Sequence, residues 1–160
     1  GLLLLTNDGD LSHYLELPAS GWERRYRVRV FGRPQKEALK ELANGITVSG
    51  IHYAPIDVKL ENQSGANKWL TMTLKEGKNR EIRRVCEHFG LRVNRLVRIG
   101  YGPFNLGKLK RGEVEEVQGF QIMKDISKES IAHCLQFNKK NNTINAKRMS
   151  KSYAHRGRKA

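Results

Sequence analysis

The stretch Glu76-Gly77-Lys78-Asn79-Arg80-Glu81-Ile82-Arg83-Arg84 gathers Lys78, Arg80, Arg83 and Arg84 around a glycine loop that runs into a helical pattern. The positive end of a helix dipole lies at its N-terminus, so stability alone would favour acids in that turn. Arginines there point to an anion among them, either a phosphate or a buried carboxylate. A solvated basic helix end is the competing reading, and composition does not separate the two. A second cluster, Trp22-Glu23-Arg24-Arg25-Tyr26-Arg27-Val28-Arg29, interleaves aromatics with arginines. Aromatic rings stack on bases and guanidinium groups hold phosphates, a combination suited to RNA. Tyr26 shares its face with two valines, however, and reads equally as core.

Other chemistries lack their residues. His13, His52, His88, His133 and His155 stand at no metal-ligand spacing, and Cys86 and Cys134 form no metal or redox motif. No serine or cysteine lies in a nucleophile motif. We therefore expect no metal site, and two structural cysteines in a reducing, cytoplasmic setting. Asp8 and Asp10 are an acid pair, but they precede a helix where Asp is a common cap. Gly100, Gly102 and Gly107 match neither a dinucleotide nor a phosphate-loop fingerprint.

The elements that must position these residues follow from periodicity. Leu2 to Leu5 reads as a buried strand, followed by a Thr6-Asn7-Asp8-Gly9 turn and a short helix through Leu11, Tyr14 and Leu15, ended before Pro18. Trp22 to Phe31 alternates strictly, with Tyr26, Val28 and Val30 on one face and Arg25, Arg27 and Arg29 on the other. Gln35 to Asn44 reads as a helix closed by Gly45, and Ile46 to Val48 and Ile56 to Leu60 as strands on either side of Ser49-Gly50. After a polar turn at 63–67, Lys68 to Lys75 alternates again. Ile82, Val85, Cys86 and Phe89 form a helical stripe ended by Gly90. Val93 to Tyr101 is a further strand, and Val114 and Val117 are candidates to end the sheet. Strands and helices without a βαβ rhythm predict an α+β fold, a mixed and largely antiparallel sheet with flanking helices.

The composition limits the partner. Among 160 residues, 30 Lys and Arg face 16 Asp and Glu, a formal charge of +14, with 38% hydrophobic residues to build a core. A polyanion is the expected partner, nucleic acid first and an anionic membrane surface second. The membrane reading lacks support: no apolar run approaches the roughly 18 residues of a spanning helix, and no lipidation signal is present. We divide the chain into a domain at 1–120, a helical extension at 121–137 that includes a helix at 128–137, and a basic tail at 138–160 without regular structure. The tail carries Lys139, Lys140, Lys147, Arg148, Lys151, Arg156, Arg158 and Lys159 and no acid, yet the rest of the chain is basic without it.

Three segments in order, Gly1-Leu-Leu-Leu-Leu-Thr-Asn-Asp-Gly9, Arg25-Tyr-Arg-Val-Arg-Val30 and Gly77-Lys-Asn-Arg-Glu-Ile-Arg-Arg84, resemble the ribosomal RNA pseudouridine synthases of the RsuA branch. Asn94 to Gly100, Gly102-Pro103-Phe104 and Leu106-Gly107 extend the resemblance to about Val117. Gly65 to Leu70 and the Asn79 form of the loop are most similar to the large-subunit, B-type subgroup. The resemblance implies a pseudouridine synthase fold and isomerisation of a uridine in ribosomal RNA, of the large-subunit precursor, without a cofactor. It implies an aspartate in a Gly-Arg-Leu-Asp motif as nucleophile, with Tyr26 at the position of the tyrosine against the flipped base and Arg83 at the basic position paired with that aspartate. Lys78, Asn79, Arg80 and Arg84, with Arg25, Arg27 and Arg29, are then the RNA-contact candidates, although the strand arginines could also face solvent. The aspartate motif is expected just upstream of Gly1, so we expect this chain to be an inactive fragment of an enzyme that is monomeric when full length. The rival expectation is a non-catalytic RNA-binding or ribosome-associated module.

Overall fold

A computed structural model describes residues 1–16, 21–62 and 67–117. Two compact units divide the chain. The first comprises Gly1–Leu5 and Leu15–Glu115, and the second Thr6–Tyr14 with Glu116–Ala160.

The first unit is built on an antiparallel sheet of β1 (Arg24–Phe31), β4 (Ile56–Asn62), β5 (Asn67–Leu74), β6 (Arg92–Tyr101) and β7 (Phe104–Asn105), in the order β4-β5-β1-β6-β7. Alternation makes it one-sided. Val28 pairs with Leu70 and Leu96, and Tyr26 with Met72 and Arg98, while Val58 and Leu60 continue the same face on β4. Val28, Val30, Leu70, Met72 and Leu74 are buried against Ile82, Val85 and Cys86 of α3 (Glu81–His88) and Leu39 of α2 (Lys36–Glu41). Each such side chain contributes about 1.5–3 kcal/mol by leaving water. The helices therefore cover the Tyr26 face, and Arg25, Arg27 and Arg29 occupy the outer one. A separate hairpin of β2 (Ile46–Val48) and β3 (Ile51–Tyr53) turns at Ser49-Gly50.

In the second unit, Asp8 Oδ1 accepts the backbone N–H groups of Asp10 and Leu11 at 3.0 and 3.1 Å. These are first-turn donors of α1 (Gly9–Glu16), so Asp8 is a helix cap, as its type and place suggest.

Several expectations need correction. Leu2 to Leu5 is not a buried strand: Leu3 and Leu5 are 69% and 78% exposed, and the segment is held by Leu2 N–H donating to Arg98 O at 2.7 Å. Val114 and Val117 do not end the sheet. Both are exposed, and β7 closes that end instead. The helix expected to reach Asn44 tightens into a 3₁₀ turn at Leu42–Asn44, and β3 was not anticipated. The proposed turn at 63–67 lies mostly, and the helix at 128–137 and the basic tail wholly, outside the described residues.

Candidate active site and basic surfaces

On the helical side of the sheet, Tyr26 is half-buried against the core, directly across from Arg98. Arg98 in turn donates from Nε to Leu2 O at 2.9 Å, and its guanidinium lies over the Tyr101 ring at 5.2 Å. Tyr26, Arg98 and Leu2 therefore form one row across β1, β6 and the Gly1–Leu5 segment. A side chain on Gly1 would have its Cβ 2.8 Å from Arg98 N, so the backbone approaches β6 as closely as only glycine permits.

Arg83 projects from the first turn of α3, half-buried, and donates from Nη1 to Val93 O at 3.0 Å. Val93 pairs with Val30, four positions along β1 from Tyr26, which is roughly 13 Å at strand spacing. The structure thus puts the two residues on one side of the sheet without bringing them into contact.

The loop before α3 is closed by carboxyls rather than by its cations. Glu76 accepts the Ala54 N–H at 2.7 Å and pairs with Lys78 Nζ at 2.8 Å. Glu81 Oε2 accepts the Lys78 N–H at 2.9 Å, while Glu81 N–H donates to Lys78 O at 3.1 Å. This reciprocal pair resembles a capping box closed through the backbone of Lys78. Glu81 is buried, and that burial, with the charge of Glu76 beside it, pushes its carboxyl up to about 7 despite the Lys78 N–H. Burial also acts to raise Glu76, but hydrogen bonds from Lys78 and Ala54 hold it below the usual carboxylate value. One acid thus carries the charge, while its neighbour gives up its proton only around neutral pH.

Lys78 is further tied to His52 O at 2.6 Å and lies over the Tyr53 ring at 5.7 Å, which leaves it less free for a ligand than its type suggests. Asn79, Arg80 and Arg84 are exposed, with Arg80 in a left-handed conformation at φ 54°. Arg25, Arg27 and Arg29 lie on the opposite side of the sheet from Tyr26 and do not join its site. Arg25 donates to Asn105 Oδ1 at 2.6 Å, and Arg27 pairs with Glu61 at 2.8 Å. Cys86 is buried, which with Glu87 nearby pushes its thiol up to about 12, so it has no thiolate character at neutral pH.

Arg24 was missed by sequence reasoning. Only 7% exposed, it donates to Trp22 O at 3.1 Å, Lys75 O at 2.6 Å and the Tyr101 hydroxyl at 3.1 Å, and that hydroxyl donates to Leu15 O. It occupies an apolar-face position of β1, and the available signal was its even spacing from Tyr26, Val28 and Val30. Trp22, stacked on Phe104 at 5.9 Å, packs at the same end of the sheet.

The site thus rests on an antiparallel α+β sheet with one helical face, with Tyr26 on that face and Arg83 in the first turn of the covering helix. The chain belongs to the RNA pseudouridylate synthase family, whose profile matches residues 1–88. It is 47% identical over 126 residues to an uncharacterised RNA pseudouridine synthase of Rickettsia prowazekii, covering 79% of this chain and 53% of that protein. It is 42% identical over 113 residues to the ribosomal large subunit pseudouridine synthase B of Yersinia pestis, covering 70% of this chain and 36% of that one. A crystal structure of a pseudouridylate synthase superposes with a TM-score of 0.64 at 27% identity, over 76% of this chain and 52% of the other. The chain spans about half the length, or less, of these relatives.

Proposed function

We propose that the full-length protein isomerises a specific uridine to pseudouridine in ribosomal RNA, in the precursor of the large subunit, as a cytoplasmic enzyme without a cofactor. The observation that carries the reading is the Tyr26–Arg98–Leu2 row. It sets the tyrosine one strand, β6, away from the segment that, in the family resemblance, follows the Gly-Arg-Leu-Asp motif.

In the proposed reaction the N1–C1′ bond breaks, the uracil rotates and a C5–C1′ bond forms. C5 loses a proton and N1 gains one, so atoms balance without an external reagent. A uracil inside structured RNA must first leave its stack, and the Tyr26 ring compensates the lost stacking. Its hydroxyl takes the C5 proton or positions the group that does. Arg83 holds the nucleophilic aspartate ionised, since a neighbouring guanidinium favours the charged carboxylate. Arg80 and Arg84, with Lys78 and Asn79 at the loop, contact phosphates.

The test is pseudouridine formation on ribosomal RNA by the full-length protein beside Tyr26→Phe, Tyr26→Ala and Arg83→Ala. The expected result is turnover by the parent and a loss of at least about a hundredfold in each folded variant. No turnover by the parent, or turnover untouched in the variants, would overturn the reading and leave a non-catalytic RNA-binding module.

A further inference from the structure

The outer face of the sheet carries a charge arrangement that the isomerisation leaves unused. Arg29 on β1 lies directly opposite Arg95 on β6 and, on its other side, opposite Trp69 on β5. Like charges facing each other across neighbouring strands, with Cβ atoms about 5 Å apart, repel. Among the described residues neither arginine has an acid within ion-pair reach. Arg29 Nε is also buried with no hydrogen-bond partner. A desolvated guanidinium N–H without an acceptor is unfavourable, and an anion lodged between the two arginines removes both the repulsion and the missing bond.

The surroundings indicate which anion. Arg27 lies over the Trp69 ring at 4.6 Å and Arg92 over the Phe31 ring at 5.3 Å, and Phe31 is itself exposed. Rings and guanidinium planes side by side are surfaces on which unpaired bases stack. The helices that build the core lie against the other face. Glu61, a carboxylate on this side, is already held by Arg27 and Thr71.

We propose that the outer face of the sheet is a second RNA-contact surface, with a backbone phosphate between Arg29 and Arg95 and adjacent bases stacked on the Arg27–Trp69 and Arg92–Phe31 pairs. It faces away from Tyr26 and therefore holds RNA flanking the modified nucleotide rather than the nucleotide itself. The choice of RNA over an acidic protein rests on the RNA-modifying reading and on the interleaved aromatics, since charge alone would suit either.

The experiment is fluorescence anisotropy of a labelled single-stranded RNA on the full-length protein across a salt series, beside Arg95→Gln, Arg29→Gln/Arg95→Gln and Trp69→Ala. Binding is read without turnover, so an inactive enzyme would leave this result intact. Arg95 is exposed, so Arg95→Gln tests the idea even if the double variant does not fold. The expected result is affinity lowered about tenfold in Arg95→Gln and in Trp69→Ala, and a slope of log affinity against log salt that falls by about one in Arg95→Gln and is nearly unchanged in Trp69→Ala. Without RNA, Arg95→Gln should melt no lower than the parent, because relief of the facing charges offsets any loss. Parental RNA affinity and slope in these variants would overturn the proposal, as would loss of binding to polyglutamate alone, which would assign the face to an acidic protein.

Discussion

Replacing Glu81 with glutamine should stabilise the chain at alkaline pH and leave it unchanged at acid pH. The Glu81 carboxyl is 3% exposed, with Oε1 unpartnered and Oε2 on the Lys78 N–H. Its value near 7 against an ordinary 4.5 means that the folded chain binds more protons than the unfolded chain between those limits. Stability from this group is therefore fully present below about 4.5 and declines as pH rises through about 7, by roughly 3 kcal/mol in all at about 1.4 kcal/mol per pKa unit. Glutamine keeps an acceptor for the Lys78 N–H and never ionises. Urea unfolding followed by tryptophan fluorescence should show a variant-minus-parent difference near zero at about pH 4, growing to about 3 kcal/mol at about pH 8. The difference also cancels the general effect of pH on so basic a chain. A difference that stays constant, or shrinks as pH rises, would refute the reasoning that Glu81 is held protonated beside Glu76.

Three further outcomes are expected. Arg24→Met keeps the length of the side chain but abandons the Trp22 and Lys75 carbonyls and the Tyr101 hydroxyl, and should lower stability by about 2–4 kcal/mol in urea unfolding. Gly102→Ala should lower the melting temperature by the equivalent of more than about 2 kcal/mol, because Gly102 sits at φ 51° and its Cβ would fall 2.1 Å from Trp22 Cε3. Arg80→Ala and Arg84→Ala, both at exposed positions, should change stability by less than about 0.5 kcal/mol, yet each should reduce the salt slope of RNA binding by about one.

What was legible in the sequence is what one-sided burial imposes. Tyr26, Val28 and Val30, and Leu70, Met72 and Leu74, alternate because helices cover one face of the sheet only, and the Ile82–Val85–Cys86 stripe is the matching surface of α3. The same rule failed at Leu2 to Leu5. Four consecutive leucines define no inward face, and this segment bonds to β6 through Leu2, while Leu3 and Leu5 stay exposed. Strand β3 escaped because its three residues are too few to display a period. Tyr26 and Arg83 were singled out by motif and order, but their separation depends on the β1–β6 register, which no local pattern encodes. Arg24 and Glu81 were invisible for a different reason: both are polar residue types buried through partners distant in sequence or provided by the backbone, and hydropathy assigns such residues to solvent.

The strand order has a consequence for biosynthesis. β1 lies at the centre of the sheet, but its neighbours begin only at Asn67 and Arg92, so an emerging chain holds an unpaired, strand-forming segment long before either partner leaves the ribosome. Such a segment is open to pairing with another nascent copy. Arginine at every second position sets identical charges against each other in any in-register homotypic pairing, and so works as a gatekeeper against aggregation while the chain is being made.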